Sequence, residues 1–211
     1  METEGLARDL AAEISKRMQR SRTPIPIGVS NRHAHITQGH FEAAFGPGAK
    51  LSKFRDLAQP GQFAANEKID IAGPKGIVRS VRLLGPFRPK TQVEVSLTDA
   101  VALGARPPVR ESGDLAGSSA IKIFGPSGAV EVREGLILAQ RHLHCSTAEA
   151  AAIGVANGEA VRVRVGRGGG RETVFEKTVV RVSDKFSLEL HLDTDEANAA
   201  GVKTGDSAYI A

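Results

Sequence analysis

The chain has 211 residues, enough to bury one large hydrophobic core or two small ones, and its net charge is +4. Aromatic residues make up 4% of the sequence and tryptophan is absent, so side chains that stack on bases are scarce and a nucleic-acid partner is disfavoured. Cys145 is the only cysteine, which excludes an intrachain disulfide and favours a reducing, intracellular setting. No apolar run is long enough to span a bilayer, and the N-terminus lacks the apolar stretch of a secretory signal.

The first segment, residues 1–20, is predicted to form an amphipathic helix. Apolar residues recur at every fourth position along it: Leu6, Leu10, Ile14 and Met18. Pro24 disfavours helical backbone at the residue before it, so the helix is expected to end within residues 21–24. Two interpretations stay open: the helix packs on the main domain, or it is a detachable segment that docks elsewhere.

The rest of the chain alternates between short apolar segments and turns rich in glycine and proline, which is typical of β-barrels and β-sandwiches. Strands are predicted at residues 25–30, 68–72, 77–84, 92–97, 120–124, 129–132, 160–165, 173–182, 187–192 and 207–210, and residues 136–139 lead into the second histidine pair. Short helical segments are predicted at residues 40–45, 99–104 and 147–153, the last with Ser146 as its N-cap.

The phrase Arg-His-x-His occurs twice, and in each copy a hydroxyl residue follows after one intervening residue. The first copy contains His33 and His35, and the second contains His142 and His144. Residues two apart point to the same side of a strand, so each pair could bind one ion if its segment is extended. Imidazole is a common ligand of zinc, copper, iron and nickel. The alternative is two pairs of partly buried histidines bonded to backbone, but the repeated context favours metal.

A weak repeat extends beyond these pairs, because residues 93–99 resemble residues 188–195. The repeated strands offer Glu94 and His191, both pointing away from the apolar row, with His191 aligned to Ser96. Two histidine pairs plus these residues give three protein ligands per ion, the number typical of catalytic zinc with an open position. A solvated Glu94, or one structural site closed by four histidines, are the alternatives. Two related barrels meeting at a seam would bring both pairs together.

Three motifs in this chain resemble the phosphate propanoyltransferases, the PduL-type phosphotransacylases. They are Pro26–His35, Leu57–Ala64 and Arg141–His144. The resemblance covers residues 24–211 and implies a mainly β fold: two β-barrel domains capped by short helices, with a two-metal site at their interface.

The domain boundaries implied by this resemblance are discontinuous. Barrel A is expected to combine residues 24–31 with residues 140–211, and barrel B to contain residues 32–139. Residues 1–20 form a separate N-terminal helix, and in the family such a helix often serves as an encapsulation peptide.

The resemblance also implies roles for individual residues. Two zinc ions per chain are expected, one held by His33, His35 and Glu94 and the other by His142, His144 and His191, with sharing allowed. Arg88, which follows a Gly-Pro turn, is expected to bind phosphate, and Ser112 to lie near the reacting atoms. Positions associated with coenzyme A are Ser30, Arg82, Leu84 and Asn198. Cys145 stands where relatives often carry methionine.

The activity implied is acyl transfer between coenzyme A and inorganic phosphate, with propanoyl or another short acyl group. The expected partners are acyl-CoA, phosphate and a second copy of the chain in a homodimer. The expected location is the lumen of a bacterial microcompartment, with shell or cargo bound through residues 1–20, or otherwise the cytoplasm. Two alternatives remain: a binuclear hydrolase of a thioester or phosphoester that uses the same ligands to activate water, and a non-enzymatic, zinc-stabilised scaffold.

Overall fold

The computed structural model describes the backbone of residues 2–211, and their side chains except those of residues 2–4, 6, 7, 9, 12 and 16. The helices are α1 (Glu2–Arg22), α2 (Gln38–Phe45), α3 (Leu97–Leu103), α4 (Thr147–Ile153) and α5 (Thr194–Ala200). The strands are β1 (Ile25–Ser30), β2 (His33–His35), β3 (Lys53–Asp56), β4 (Phe63–Ala72), β5 (Ile77–Gly85), β6 (Gln92–Glu94), β7 (Val109–Arg110), β8 (Ser119–Phe124), β9 (Ala129–Ala139), β10 (His142–Cys145), β11 (Ala160–Val165), β12 (Thr173–Val182), β13 (Glu189–Asp193) and β14 (Ser207–Ile210).

These strands form two closed, six-stranded barrels. Barrel A has the order β1-β13-β10-β12-β11-β14. Barrel B has the order β4-β5-β2-β6-β9-β8 and closes because β8 pairs with both β9 and β4, while β3 and β7 pair at its margins. The predicted fold class, mainly β with two barrels and short helices, is confirmed.

The two barrels share one arrangement of strands around the ring. In ring order, β2, β5, β4, β8, β9 and β6 of barrel B correspond to β10, β12, β11, β14, β1 and β13 of barrel A. The strand β1 therefore belongs to barrel A although it leads directly into β2, and β9 belongs to barrel B although it leads into β10.

The chain divides accordingly into two compact units. One contains Val29 and the residues before it, Arg141–Leu192 and Glu196–Ala211. The other contains Ser30–Gln140 and Asp193–Asp195. Each unit has its own hydrophobic core, centred on barrel A and barrel B respectively.

Strand β2 fixes the orientation of the first histidine pair. Ala34 lies opposite Leu83 of β5 and Val93 of β6, and all three are fully buried in the core of barrel B. Because side chains alternate along a strand, His33 and His35 must then point away from that core.

Barrel A repeats the same arrangement. Leu143 lies opposite Val180 of β12 and Leu190 of β13, and all three are fully buried in the core of barrel A. His142 and His144 therefore point to the outer side of their barrel, as the first pair does.

Two predicted strands differ from the structure. Residues 92–97 were expected to form one strand, but β6 ends at Glu94 because the Ser96 side chain accepts a hydrogen bond from the Asp99 N–H and caps α3. Residues 129–132 were expected to form a short strand, but β9 continues from Ala129 to Ala139.

The hydroxyl residue after each histidine pair begins a helix. The side chain of Thr37 accepts a hydrogen bond from the backbone N–H of His40 at the start of α2. Ser146 forms a capping box with Glu149 at the start of α4, which confirms the predicted N-cap. Each cap turns the chain away from the strand directly after the second histidine.

Helix α1 contacts barrel A through its C-terminal end. Gln19 donates to the carbonyl of Ala152 at 2.6 Å, and Arg20 pairs with Glu159 at 2.9 Å. The sequence analysis predicted an apolar face on this helix. Three side chains of that face are described, and all three are exposed: Leu10, Ile14 and Met18. The side chain of Leu6, also assigned to that face, lies outside the described residues. Across residues 2–211, α1 included, no helix combines the length and apolar character needed to cross a membrane.

The capping box of α4 should contribute a pH-dependent part of the stability. Burial acts to raise the pKa of Glu149, but hydrogen bonds from the backbone and side chain of Ser146 outweigh it and lower that pKa. The contribution is therefore present above the unfolded-state pKa and is lost as the pH falls through the folded-state pKa.

We expect Glu149→Ala to lower the free energy of unfolding by about 1 kcal/mol at neutral pH, because the N-cap loses its partner. Urea unfolding at neutral and at acidic pH measures this, and the deficit should shrink on acidification. Ser15→Ala, on the exposed side of α1, is the control and should change little. A Glu149→Ala deficit that is the same at both pH values would contradict the assignment.

Candidate metal centres

The first candidate centre, called centre B, consists of His33, His35 and Glu94. One potential ligand atom from each residue lies within 4.8 Å of the others. His33 stands directly opposite Glu94 in the antiparallel pairing of β2 and β6, and His33 Nε2 is 3.5 Å from Glu94 Oε2. The pairing of two neighbouring strands thus brings the third residue to the histidine pair.

The second candidate centre, called centre A, consists of His142, His144 and His191. Its potential ligand atoms also lie within 4.8 Å of one another. His142 stands opposite His191 in the pairing of β10 and β13, and their rings are stacked with centroids 4.7 Å apart. Centre A is therefore built by the same register as centre B.

The predicted alignment of His191 with Ser96 is wrong. His191 occupies the position of Glu94, because each lies opposite the first histidine of its pair. The error arose because Glu189 sits between two leucines as Glu94 sits between two valines. By strand register, Glu189 corresponds instead to Gln92.

The chemistry of centre B fits a divalent ion such as zinc. His33 Nδ1 lies 2.8 Å from the carbonyl oxygen of Asn31, which fixes Nδ1 as the donor and leaves Nε2 on the side of Glu94. His35 Nδ1 is buried without a hydrogen-bond partner, which is costly unless another group binds it. Ligand atoms around a tetrahedral zinc ion lie about 3.4 Å apart, close to the 3.5 Å between His33 and Glu94.

The ionisation states of His35 and Glu94 suit a metal. Burial acts to lower the pKa of His33, but the Glu94 carboxylate outweighs it and raises that pKa, so a bound ion would displace a proton there. Burial, together with the charges of His33 and Arg88, holds the pKa of His35 well below its ordinary value, so its imidazole is neutral. Burial would raise the pKa of Glu94, but the neighbouring His33 outweighs it and that pKa lies far below the usual range. A neutral imidazole and an ionised carboxylate are the forms that coordinate metals.

Gln92 organises the surroundings of Glu94 and was not identified from the sequence. Its side-chain Nε2 donates to Glu94 Oε1 at 2.5 Å and to Ser112 Oγ at 2.8 Å. Its Oε1 accepts the backbone N–H of Gly113 at 2.7 Å. Gly113 has a φ of +102°, a backbone conformation that favours glycine. One buried amide thus fixes both the carboxylate and the loop that carries Ser112.

Both predicted catalytic residues lie beside centre B. Arg88 Nη1 donates to Ser112 Oγ at 3.3 Å, and Ser112 Oγ donates to Glu94 Oε1 at 3.0 Å. The backbone N–H of Arg88 also donates to the carbonyl of Ile36, one residue beyond His35. The guanidinium is therefore held close to the candidate ligands.

The four residues assigned to coenzyme A lie in different elements. Arg82 and Leu84 stand opposite His33 and His35 in the parallel pairing of β5 with β2. The Arg82 guanidinium lies over the Phe54 ring, 4.9 Å from its centroid. Ser30 ends β1 and is half-buried, whereas Asn198 is exposed on α5. Their role stays a prediction.

The surroundings of centre A differ from those of centre B. Glu189 Oε2 is 3.0 Å from His191 Nε2. Gly28 of β1 makes room for this carboxylate, because a Cβ atom there would lie 2.6 Å from Glu189 Oε1. On the other side, the Phe186 ring stacks on His144 with centroids 3.9 Å apart. Sequence inspection identified neither Glu189 nor Phe186 as part of the site.

Two other residues considered in the sequence have structural explanations. Cys145 is fully buried, and burial, with the nearby Glu149 charge, raises the pKa of its thiol to about 11. This thiol is therefore protonated and inaccessible at neutral pH. His40, the residue at the third position of α2, is half-buried, and its Nδ1 lies 2.8 Å from the Thr91 hydroxyl.

Comparison with known proteins gives one consistent result. The sequence profile of the phosphate propanoyltransferase family matches residues 26–203. A phosphate propanoyltransferase of Thermotoga maritima is 49% identical over 186 residues, 88% of this chain and 88% of that protein. The one of Priestia megaterium is 48% identical over 207 residues, 98% of this chain and 94% of that protein.

The chain therefore belongs to the phosphate propanoyltransferase family, and it is an acyltransferase enzyme. This confirms the resemblance stated from the sequence motifs. It also removes the interpretation as a non-enzymatic scaffold.

We expect each centre to bind one metal ion independently. Protein stripped of metal, reloaded with zinc and desalted should retain two ions per chain, measured by plasma mass spectrometry. His35→Ala and His144→Ala should each retain one, and the combined variant none, because each removes a buried ligand from a different centre. His40→Ala, outside both centres, should retain two. Single variants that keep both ions would contradict the ligand assignment.

We expect Gln92→Leu to lower the free energy of unfolding of metal-free protein by about 1–3 kcal/mol, because the buried Glu94 and Ser112 lose a donor. Chemical denaturation measures this change. Gln38→Leu is the matched control, since Gln38 also donates to a glutamate, Glu42, but on an exposed helix surface. Equal effects of the two substitutions would show that the Gln92 network is not organising the site.

Proposed function

We propose that this enzyme is a phosphotransacylase that moves an acyl group between coenzyme A and inorganic phosphate. The observation that carries the proposal is the guanidinium of Arg88, held through Ser112 beside the carboxylate of Glu94. A planar cation next to a candidate metal centre suits a small tetrahedral anion. The names of the relatives support phosphate as that anion and a propanoyl group as the group transferred.

We assign zinc to both centres, with the ligand sets described above. When bound, the ions supply Lewis-acid charge next to the reacting phosphate and thioester oxygens. Gln92 and Ser112 hold Glu94 in place, and the Asn31 carbonyl fixes the tautomer of His33. These contacts orient the ligands before the substrates arrive.

In the forward direction, Arg88 binds phosphate with one oxygen free to attack the carbonyl carbon of the acyl thioester. A carbon–oxygen bond forms and the carbon–sulfur bond breaks. The products are acyl phosphate and the thiolate of coenzyme A, a good leaving group because thiols have a pKa near 8.5. Ser112 keeps the guanidinium oriented through its hydroxyl.

No acyl-enzyme is needed in this scheme. The chain's one thiol, Cys145, is buried with a raised pKa and makes a poor nucleophile. Ser112 Oγ donates to a carboxylate that is assigned to the metal, so it is not activated by a free base. Direct attack by phosphate is therefore the simplest route.

Finer parts of the assignment belong to the same proposal. Ser30, Arg82, Leu84 and Asn198 are assigned to coenzyme A, and the preferred acyl group is short. A homodimer, placement in a microcompartment lumen and a role of residues 1–20 as an encapsulation peptide are also proposed. The exposed Leu10, Ile14 and Met18 on α1 support the last of these, since an apolar helix face suits docking on another protein.

Arg88→Ala tests the phosphate site. We expect kcat/KM for phosphate to fall about 10- to 100-fold, because a charge-assisted contact to the anion is lost. The KM for acyl-CoA should change little, and Arg88→Lys should recover part of the activity. Arg79→Ala, which breaks an exposed ion pair between Arg79 of β5 and Asp70 of β4, is the control. Folded, zinc-loaded Arg88→Ala protein with unchanged phosphate kinetics would exclude the assigned role.

A second assay separates acyl transfer from hydrolysis. The release of coenzyme A from propanoyl-CoA is followed with and without phosphate on protein of known zinc content. A phosphotransacylase requires phosphate and forms propanoyl phosphate in equal amount. A hydrolase that uses the same ligands would release coenzyme A without phosphate and form propanoate.

A further inference from the structure

Each histidine pair is preceded by an arginine that forms an ion pair with a helix. Arg32, directly before His33, has Nη1 3.1 Å from Asp99 Oδ1. Arg141, directly before His142, has Nε 2.5 Å from Glu196 Oε1. The same contact is therefore made in both barrels, by arginines at equivalent positions.

The two acidic partners also occupy equivalent positions. Asp99 is the third residue of α3, and Glu196 is the third residue of α5. Helix α3 follows β6, which carries Glu94, and α5 follows β13, which carries His191. Each ion pair therefore joins the strand that carries a histidine pair to the helix that follows the third ligand.

The pairing register shows where each ion pair lies relative to the facing ligands. In β2 and β6 the facing ligands are His33 and Glu94, and both Arg32 and the start of α3 lie at the same end of this strand pair. In β10 and β13 the facing ligands are His142 and His191, with Arg141 and α5 at the same end. The ion pair closes that end and restrains the distance between the facing ligands.

Both contacts are sheltered from solvent on their acidic side. The side chains of Asp99 and Glu196 are 12% and 17% exposed. Asp99 Oδ2 is buried without a hydrogen bond, so its carboxylate depends on Arg32 for stabilisation. Arg141 has further contacts: Nη1 donates to the Glu176 carbonyl at 2.7 Å, and the guanidinium lies over the Phe175 ring.

We infer that Arg32–Asp99 and Arg141–Glu196 are positioning clamps, each setting the metal affinity of its own centre. The inference rests on the assignment of metals to the two centres but not on the reaction with phosphate. Asp99 and Glu196 each pair with the arginine directly before a histidine pair, so each clamp acts on the ligands through the geometry of the strand. Loss of a clamp should weaken one centre and leave the other unchanged.

The test measures zinc affinity of full-length protein with one centre present at a time. His142→Ala with His144→Ala leaves centre B, and His33→Ala with His35→Ala leaves centre A. Zinc dissociation constants are obtained by competition with a chromophoric chelator, and folding is checked by circular dichroism.

Asp99→Asn should raise the dissociation constant of centre B by about tenfold or more, as for other residues that orient metal ligands. It should leave centre A within about twofold. Glu196→Gln should weaken centre A alone, by a smaller factor because Arg141 keeps its other contacts. Asp99→Glu keeps the charge and should recover much of the affinity.

Glu159→Gln is the matched control, because it breaks a partly buried ion pair with Arg20 that involves no histidine-bearing strand. It should lower the melting temperature without changing either dissociation constant. The inference is overturned if Asp99→Asn lowers the melting temperature but leaves both zinc dissociation constants unchanged. It is also overturned if Asp99→Asn weakens zinc binding at both centres equally. Because no substrate is used, a protein that binds zinc but fails to transfer acyl groups would refute the proposed function and leave this inference intact.

Discussion

The register of one short strand against its neighbours determines each candidate centre. In barrel B, the burial of Ala34 against Leu83 and Val93 forces the two flanking histidines to the outer side of the barrel. A shift of one residue would turn both histidines into the core. The antiparallel pairing with β6 then places Glu94 opposite His33. The core of the barrel and the composition of the site are therefore consequences of the same packing.

The two centres share this frame but differ in chemistry. Centre B has a carboxylate as its third candidate ligand, and the amide of Gln92 contacts that carboxylate. Centre A has an imidazole as its third candidate ligand, and the carboxylate of Glu189 contacts that imidazole. A guanidinium lies beside centre B, and an aromatic ring stacks on centre A. Under the proposed function, phosphate binds beside Arg88.

Sequence periodicity was sufficient for the parts of the site that depend on local geometry. The spacing of His33 and His35 indicates one face of a strand, and repetition of the phrase indicates two groups. The third ligands were named, but their register was misjudged, since Glu189 resembles Glu94 in its apolar surroundings. The boundary of β6 was also missed, because Ser96 and Asp99 begin a helix with a side-chain cap that competes with continued strand pairing.

Contacts between residues distant in sequence could not be predicted in this way. Gln92 reads as an ordinary polar residue until Ser112 and Gly113 are seen to contact it. Asp99 and Glu196 read as solvated helix residues until their arginine partners are known. The place of β1 in barrel A depends on its pairing with β14, and it was expected only from the family resemblance, not from periodicity. Each of these features is set by tertiary packing, for which a single sequence carries no periodic signal.

The most direct test of this account is a crystal of the protein grown with zinc, examined by anomalous scattering at the zinc absorption edge. The account predicts one peak at each centre, at about 2.0–2.2 Å from the imidazole nitrogens of its histidine pair and from the third residue on the neighbouring strand. An anomalous map with no peak at either histidine pair, or with zinc bound only elsewhere on the surface, would contradict it.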